Sequence, residues 1–338
     1  NYYQCPDISQ NPTDFLNWIE QLLATQQINF VFPITERSSQ LLLRHPERIQ
    51  NTAIPFADLD TILSIGDKGK LAELALSLDL AIPDTQFLDR GEALLALDIE
   101  YPAVLKPTVS NHWLGDRWLE TTVHIAHNQA EMQKLVGQHD YLRDYPLLLQ
   151  NFVPGSGAGI FAIYDRGKAV QFFAHQRLRE KPPAGGVSVL SQSVEPNPQL
   201  LKIAKTLLDG ANWHGVAMVE FRVAPDGCAY LMEVNTRFWG SLQLAIDSGV
   251  DFPHLLYCIS TGSDYSTPTV KTGQKLRWLL GDLDNLYLQW KDANTPLSNK
   301  LKALLRFFVP AANTRHEVNR GGDLGPAWLE LKRYFGLA

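Results

Sequence analysis

The segment GVAMVEFRVAPDGCAYLMEVNTRFWG, residues 215–240, constrains the fold more than any other part of this 338-residue chain. Two stretches of alternating polar and apolar residues flank Pro225-Asp226-Gly227, a sequence typical of a tight turn, so the segment predicts a β-hairpin. A loop of two or four residues gives one register, which pairs Glu220 with Glu233. A three-residue loop would shift the register and separate the two side chains.

Two carboxylates that oppose each other on a half-buried sheet repel, and burying an ionised carboxylate without a partner is costly. Two interpretations are open. In the first, the hairpin face is solvated, and Arg222 or Arg237 neutralises the acids. In the second, Glu220, Glu233 and Asn235 bind Mg²⁺, because two carboxylates and an amide oxygen are ligands of the kind that this ion prefers.

Charge and composition exclude several other classes of protein. The chain has 36 acidic and 30 basic residues without a block of like charges, which argues against a nucleic-acid or anionic-membrane surface. Its longest apolar runs fall far short of the roughly 18 residues that span a bilayer. Cys5, Cys228 and Cys258 lack the spacing of a disulfide framework or a zinc site, so we expect a reducing, cytoplasmic location and small-molecule partners.

The N-terminal region predicts part of a parallel α/β layer. Residues 14–26 show the apolar spacing of a helix, Asn29–Pro33 resembles a short buried strand, and Ser38–Leu43 predicts another helix. A parallel sheet needs more strands than this one. We therefore expect the natural protein to carry another βα unit before Asn1.

The remainder of the chain predicts an antiparallel α+β region followed by helices. From Tyr101 to Arg237 the pattern is mainly that of strands, interrupted by helices near Gln129–Val136 and Pro198–Leu208. Further helices are predicted at Leu297–Phe308 and Pro326–Tyr334.

Two lysines occupy the ends of predicted elements. Lys106 follows the apolar strand Ala103–Leu105, and Lys68 begins a helix, predicted to run to Leu80, that Asp67 caps. Each lysine alone is typical of a surface residue. Together with a magnesium-binding hairpin, they suit the neutralisation and positioning of nucleotide phosphates.

A strand over residues 169–180 ends in His175, Arg177 and Arg179, which period-2 alternation places on one face, with Glu180 on the other. Guanidinium groups suit carboxylate and phosphate oxygens, so Arg177 is a candidate for a transferred phosphate and Arg179 or His175 for the substrate. The alternative is an edge strand whose charges prevent aggregation.

Several of these motifs occur in an order and spacing that resemble the ATP-grasp superfamily. They are Gly66-Asp67-Lys68, Val104-Leu105-Lys106-Pro107, Gln150-Asn151-Phe152-Val153-Pro154-Gly155, Glu220 and Glu233-Val234-Asn235-Thr236-Arg237. Within it, HQRLREKPPAGGVSV (175–189) and EVNTRFWGSLQLAIDSGVDFP (233–253) resemble a branch of predicted carboxylate-amine ligases. The resemblance extends from about Phe30 to Gly262, and more weakly to the end of the chain.

The resemblance implies a fold of the α/β plus α+β class, the ATP-grasp fold. Residues 1–90 would form a truncated, parallel α/β pre-ATP-grasp domain. Residues 91–262 would form the ATP-grasp domain, with a small lid of about 102–153 and a large subdomain of about 154–262. Residues 263–338 would form a helical C-terminal extension.

The resemblance also implies roles for individual residues. Lys68 and Lys106 would contact the phosphates of ATP, and Gln150, Asn151, Phe152 and Val153 would bind adenine through main-chain groups. Glu220, Glu233 and Asn235 would hold Mg²⁺. Arg237 would stabilise an acyl phosphate, with Arg177 and Arg179 as further catalytic candidates. The chain departs from many relatives in lacking a hinge glutamate and a glycine-rich loop after Lys106, where Ser110 and Asn111 stand instead.

The expected activity is an ATP-dependent ligase that joins a carboxylate to an amine through an acyl phosphate. The expected partners are these two small substrates, and a homodimer is left open. One alternative is phosphorylation of bicarbonate or transfer to a hydroxyl group. Another is a nucleotide-binding regulatory module that has lost turnover. A dehydrogenase is disfavoured, because no G-x-G-x-x-G motif follows a predicted strand.

Overall fold

A computed structural model describes residues 3–91, 94, 97–183, 185–293, 295–309 and 312–337. Its helices are α1 Pro12–Gln26, α2 Glu36–Arg44, α3 Leu59–Gly66, α4 Lys68–Ser77, α5 Gln129–Gln138, α6 Tyr141–Asp144, α7 Pro198–Gly210, α8 Leu242–Asp247, α9 Phe252–Thr261, α10 Leu279–Lys291, α11 Leu297–Phe308 and α12 Gly325–Tyr334. Its strands are β1 Thr85–Leu88, β2 Ala103–Pro107, β3 Asn111–Trp113, β4 Trp118–Glu120, β5 His124–Ala126, β6 Leu147–Asn151, β7 Ser156–Asp165, β8 Lys168–Lys181, β9 Val187–Val194, β10 Gly215–Val223, β11 Ala229–Asn235, β12 Lys275–Arg277 and β13 Thr314–His316.

A seven-stranded sheet forms the centre of the molecule, with the order β11-β10-β7-β8-β9-β12-β13. All neighbours in it are antiparallel except β12 and β13, which confirms the predicted antiparallel arrangement of residues 101–237. Buried side chains of β7, β8 and β10 pack against α7 and α9 in the largest apolar core, with Phe161 and Trp213 at its centre.

A smaller, four-stranded antiparallel sheet has the order β1-β6-β2-β5. Its apolar face packs on α5 and α6 through a separate core that includes Leu105, Met132 and Leu149. Lys106 and Gln150 lie on the opposite face of this sheet from that core, and Lys106 reaches Met232 of the large sheet.

The N-terminal region forms the predicted helices α1 and α2, but residues 29–33 do not form the predicted strand. Phe30 makes only an isolated parallel bridge with Ala53. Pro33 and Pro55 follow closely on the two segments, and because proline has no N–H group they prevent a longer ladder. The helices pack instead against Trp118 of the β3–β4 hairpin.

The C-terminal region contains the two predicted helices, α11 and α12, and three elements that the sequence pattern did not predict. Strands β12 and β13 extend the large sheet, and α10 packs on β8 and β9. Within the described parts of the chain, no helix is long and apolar enough to cross a membrane.

Candidate functional site

The loop of the carboxylate hairpin differs from the predicted one. Ala224 N–H donates to the Cys228 carbonyl oxygen at 2.8 Å, and Val223 pairs with Ala229, so the loop has three residues, Pro225–Gly227. The predicted loop of two or four residues is therefore wrong. Continued along the hairpin, this register would separate the two glutamates.

A β-bulge restores the predicted pair. Phe221 pairs with Leu231, but Glu220 pairs with Glu233, which leaves Met232 as the extra residue. The carbonyl group of Met232 accepts a hydrogen bond from Lys106 Nζ at 2.6 Å. The bulge therefore aligns the two carboxylates and also anchors the lysine of the small sheet to the large sheet.

Lys68 and Lys106 are both buried beside Glu233, with exposed fractions of 6% and 4%. Lys68 Nζ donates to Ser110 Oγ at 3.0 Å and lies 3.9 Å from a carboxylate oxygen of Glu233. Burial lowers the pKa of Lys106 to about 8, against the attraction of Glu233. The two lysines therefore belong to the same cluster as the carboxylates, as their motif positions imply.

The surroundings shift the pKa values of the two carboxylates in opposite directions. Burial and the charge of Glu233 raise the pKa of Glu220, although Arg177 opposes this shift. Burial favours the neutral form of Glu233, but Lys68, Lys106 and Arg237 together outweigh it and lower the pKa of Glu233. One acid of the pair therefore ionises more readily than the other.

A chain of hydrogen bonds fixes the side chains around Glu220. Arg177 donates to one oxygen of Glu220 at 2.8 Å, and Asn235 Nδ2 donates to the other at 2.9 Å. Arg237 in turn donates to Asn235 Oδ1 at 3.0 Å. These contacts place four of the predicted site residues in one network.

The donor set suits a hard cation rather than a transition metal. Among the described residues, no group of three or more His, Cys, Asp or Glu side chains could hold a metal ion. A cation at this position would instead use Glu220, Glu233 and the amide oxygen of Asn235, which is an all-oxygen set. The half-buried state of both glutamates also disfavours the alternative of a solvated hairpin face.

The predicted alternation at the end of β8 is wrong, because the pairing of β8 with β9 shifts on both sides of Arg179. Arg177 and Glu180, which alternation places on opposite faces, lie 3.3 Å apart. His175 is buried with its ring edge against Phe161, and burial lowers its pKa to about 3, so this side chain is neutral.

Arg179 points away from the two glutamates. Its guanidinium lies 2.6 Å from the carboxylate of Asp282, an α10 residue that also pairs with Arg277 at 2.6 Å. Asp282 is buried between these arginines. Of the two arginines proposed from β8, only Arg177 contacts the carboxylate pair, and a substrate role for Arg179 stays a prediction.

The predicted adenine hinge borders a cavity of about 460 Å³ between the two sheets, the hinge cavity, which is lined by Asn151, Phe152, Val153 and the hairpin loop. Phe152 N–H donates to Pro102, and Arg222 donates to the carbonyl oxygen of Val153 at 3.2 Å. Within the described residues, the N–H group of Val153 has no hydrogen-bond acceptor, so it is open to a ligand.

Gln150 is the first residue of the predicted adenine hinge. Its side chain is buried, and its amide nitrogen donates to Thr85 Oγ1 at 2.9 Å. Its amide oxygen is buried without a hydrogen-bond partner among the described residues. An unpaired buried acceptor is costly, which makes a ligand donor at this position favourable.

The start of α2 contributes two residues that sequence reasoning missed. Arg37 donates to Asn111 Oδ1 at 2.6 Å and to Glu120 at 2.7 Å, and Asn111 donates to Glu36 at 3.1 Å. The capping box of Thr35 and Ser38 marks the helix start in the sequence. Nothing in the sequence connects it to Asn111, 74 residues away from Arg37.

These contacts border a cavity of about 770 Å³, the Arg237 cavity, which is lined by Arg37, Asn111, Glu233, Arg237 and Trp239 among others. Of the carboxylate pair, Glu233 lines this cavity. Trp239 is buried, with its ring 4.5 Å from that of Phe161, so it is mainly a packing residue.

Comparisons with known proteins bear on the fold of the chain. A family model described as "ATP-grasp in the biosynthetic pathway with Ter operon" matches residues 143–281. Comparison with curated protein sequences gives no match.

Solved structures of low sequence identity share the fold. Biotin carboxylase of Campylobacter jejuni, in complex with a β,γ-ATP ligand, has a TM-score of 0.62 and 14% identity, over 77% of this chain and 60% of that one. N5-carboxyaminoimidazole ribonucleotide synthetase, in complex with ADP, has a TM-score of 0.62 and 12% identity, over 86% and 82%. An L-amino acid ligase of Bacillus licheniformis has a TM-score of 0.57 and 16% identity, over 75% and 61%.

The chain thus has the ATP-grasp fold, and its residues 143–281 match an ATP-grasp family model, in agreement with the resemblance of its motifs. It spans about 60% of the length of the biotin carboxylase structure that it matches.

Proposed function

We propose that this chain is an ATP-dependent ligase that activates a carboxylate as an acyl phosphate and joins it to an amine. The observation that carries the proposal is the Glu220–Glu233 pair, which lies among four cationic side chains at the boundary of the two sheets. Two acids alone would not need so many cations. A nucleotide polyphosphate with its metal ion would balance the excess positive charge.

Three sets of residues would bind the three parts of the ATP–magnesium complex, which are adenine, the phosphates and the metal ion. Adenine would lie in the hinge cavity, where the Val153 N–H lacks a partner among the described residues. Gln150, which precedes the lining residue Asn151, has a buried amide oxygen that also lacks one. Lys68 and Lys106 would bind the phosphates. Glu220, Glu233 and Asn235 would hold Mg²⁺, which would polarise a phosphate oxygen when bound.

The reaction would take place at the edge of the Arg237 cavity. An oxygen of the substrate carboxylate would attack the γ-phosphorus of ATP, and the bond to ADP would break. The amine would then attack the acyl carbon, phosphate would leave, and the nitrogen would lose a proton to give the amide. Arg237 would stabilise the negative charge that develops on these oxygens, because its guanidinium is held at the cavity wall by Asn235.

The amide-forming reaction is favoured over the two alternatives. Likeness to an L-amino acid ligase supports it, whereas likeness to biotin carboxylase supports activation of bicarbonate. A cavity of about 770 Å³ beside Arg237 is far larger than bicarbonate requires, which favours an organic acid and amine. A regulatory module without turnover would not require the opposed carboxylates to stay half-buried among cations.

The test uses the full chain with ATP, Mg²⁺ and a pool of amino acids whose carboxylates carry ¹⁸O. We expect ADP, new amides and phosphate that contains one ¹⁸O atom, measured by mass spectrometry. Glu233→Gln should abolish all three products, whereas Glu195→Gln, at an exposed position, should not. ADP formation that depends on bicarbonate alone, or no ADP with any acid, would contradict the proposal.

A further inference from the structure

A second cleft lies beside the site, on the side of the C-terminal helices. This β8–α11 cleft has a volume of about 540 Å³ and is bordered by the end of β8, by α10 and by α11. Four cationic side chains line it: Arg177, Arg179, Lys302 and Arg306. Its volume lies in the range of sites for small ligands.

The positive charges in this cleft are only partly balanced. Glu180 pairs with Arg177 at 3.3 Å, and Asp282 pairs with Arg179 at 2.6 Å. Within the described residues, no carboxylate pairs with Lys302 or Arg306. Lys302 and Arg306 therefore give the cleft its excess positive charge.

Lys302 and Arg306 stand one turn apart on α11, where two like charges repel and destabilise the helix. Asn299, one turn before Lys302, lines the same cleft and adds an amide group. An anionic ligand would offset the repulsion and would receive donors from three successive turns of one helix.

Two contacts connect α11 and the cleft with the carboxylate pair. Arg277 stacks 4.3 Å from the ring centre of Phe307, and it also pairs with the buried Asp282. Arg177 connects the cleft with the active pair, because its guanidinium lines the cleft and donates to Glu220 at 2.8 Å. A molecule bound in the cleft would therefore lie next to the reacting groups.

We propose that the β8–α11 cleft binds an anionic group, a carboxylate or a phosphate, on a part of the substrate that does not react. Lys302 and Arg306 are its ligands, so the C-terminal extension selects substrates with a second negative charge. The proposal rests on the proposed function only in that it treats the bound molecule as a substrate.

The test is calorimetry with two probes, succinate and inorganic phosphate, on the full chain saturated with MgADP so that the nucleotide phosphate positions are filled. Wild type should bind at least one probe, and the probe that binds more tightly identifies the group as carboxylate or phosphate. The double variant Lys302→Met/Arg306→Met should bind it about tenfold more weakly or worse. The control variant Lys300→Met/Lys202→Met removes two charges outside the cleft and should bind as wild type does.

Failure to bind either probe, or equal binding by the double variant and wild type, would overturn the proposal. Thermal unfolding of both double variants checks that the fold is intact. The proposed function fails separately, through the absence of amide and ¹⁸O-phosphate in wild type, and that result leaves the binding measurement valid. With an accepted substrate, the cleft variant should raise the KM of the acid and leave the KM of ATP unchanged.

Discussion

Two regions of the seven-stranded sheet both hold partly buried charged side chains, but they balance those charges differently. In the first region, around β10 and β11, two carboxylates lie among four cations, which are Lys68, Lys106, Arg177 and Arg237. In the second region, where α10 packs on β8 and β9, acids of α10 pair with strand cations, as Asp282 does with Arg179 and Arg277. The first region has charge left over for a ligand. The second uses its charges to attach α10 to the sheet.

The largest expected effect is a loss of stability when the charge balance of the second region is disturbed. Asp282→Asn would leave the half-buried Arg179 and Arg277 without a negative partner, which should reduce the free energy of unfolding by about 3 kcal/mol. Chemical denaturation measures this loss. Asp284 lies on the same helix as Asp282, is more exposed and pairs with Lys181. Asp284→Asn should therefore cost less than about 1 kcal/mol. Equal losses of unfolding free energy in the two variants would show that Asp282 contributes no more to stability than the more exposed Asp284.

The next largest effect is expected in the first region, where a substitution should weaken the binding of ATP. Lys106→Ala should weaken ATP about tenfold to a hundredfold, because it removes a nearly buried charge-assisted contact, and it should affect adenosine much less. Calorimetry with both ligands measures the difference. Lys134→Ala, an exposed lysine of α5, is the control. Equal losses for ATP and adenosine would mean that Lys106 supports the pocket in general.

A pH dependence follows from the same lysine. Burial lowers the pKa of Lys106 to about 8, so its ammonium group is charged below that pH and becomes neutral above it. Affinity for ATP should therefore be constant on the acid side and fall as the pH rises through about 8. Lys106→Ala should remove this fall. An identical pH profile in the variant would assign the titration to another group.

The smallest effect is expected at the start of α2. Arg37→Met should raise the KM of the substrate acid about fivefold, because Asn111 and Glu120 lose a shared donor at the Arg237 cavity. The affinity for ATP should not change. Steady-state kinetics tests this, with Arg166→Met, at an exposed position, as the control. A loss of ATP affinity would place Arg37 in the nucleotide site instead.

The carboxylate pair could be predicted from the sequence, but the backbone arrangement that aligns the two side chains could not. Alternation and the turn sequence placed Glu220 opposite Glu233, and the structure has that pair. The predicted loop was wrong, and the pair survives only because of the bulge at Met232. A bulge has no strong sequence signal, so two differences from the simple hairpin compensated for each other.

The region around α10 could not be predicted for a physical reason. Its buried positions include Gly281, Asp282 and Asn285, whereas Tyr287 and Trp290 are exposed. Hydrophobic periodicity identifies a helix by its buried apolar face, and this helix buries polar groups. Strands β12 and β13 have three residues each, too few for alternation to show.

We propose that Glu220, Glu233 and Asn235 hold the metal ion of bound ATP, and calorimetry of ATP binding with and without Mg²⁺ tests this proposal. In wild type, Mg²⁺ should strengthen ATP binding at least about tenfold. In Glu233→Gln, the affinities with and without Mg²⁺ should be nearly equal, while Glu195→Gln behaves as wild type. A Glu233→Gln variant that retains the full effect of Mg²⁺ would show that the metal ion is held elsewhere.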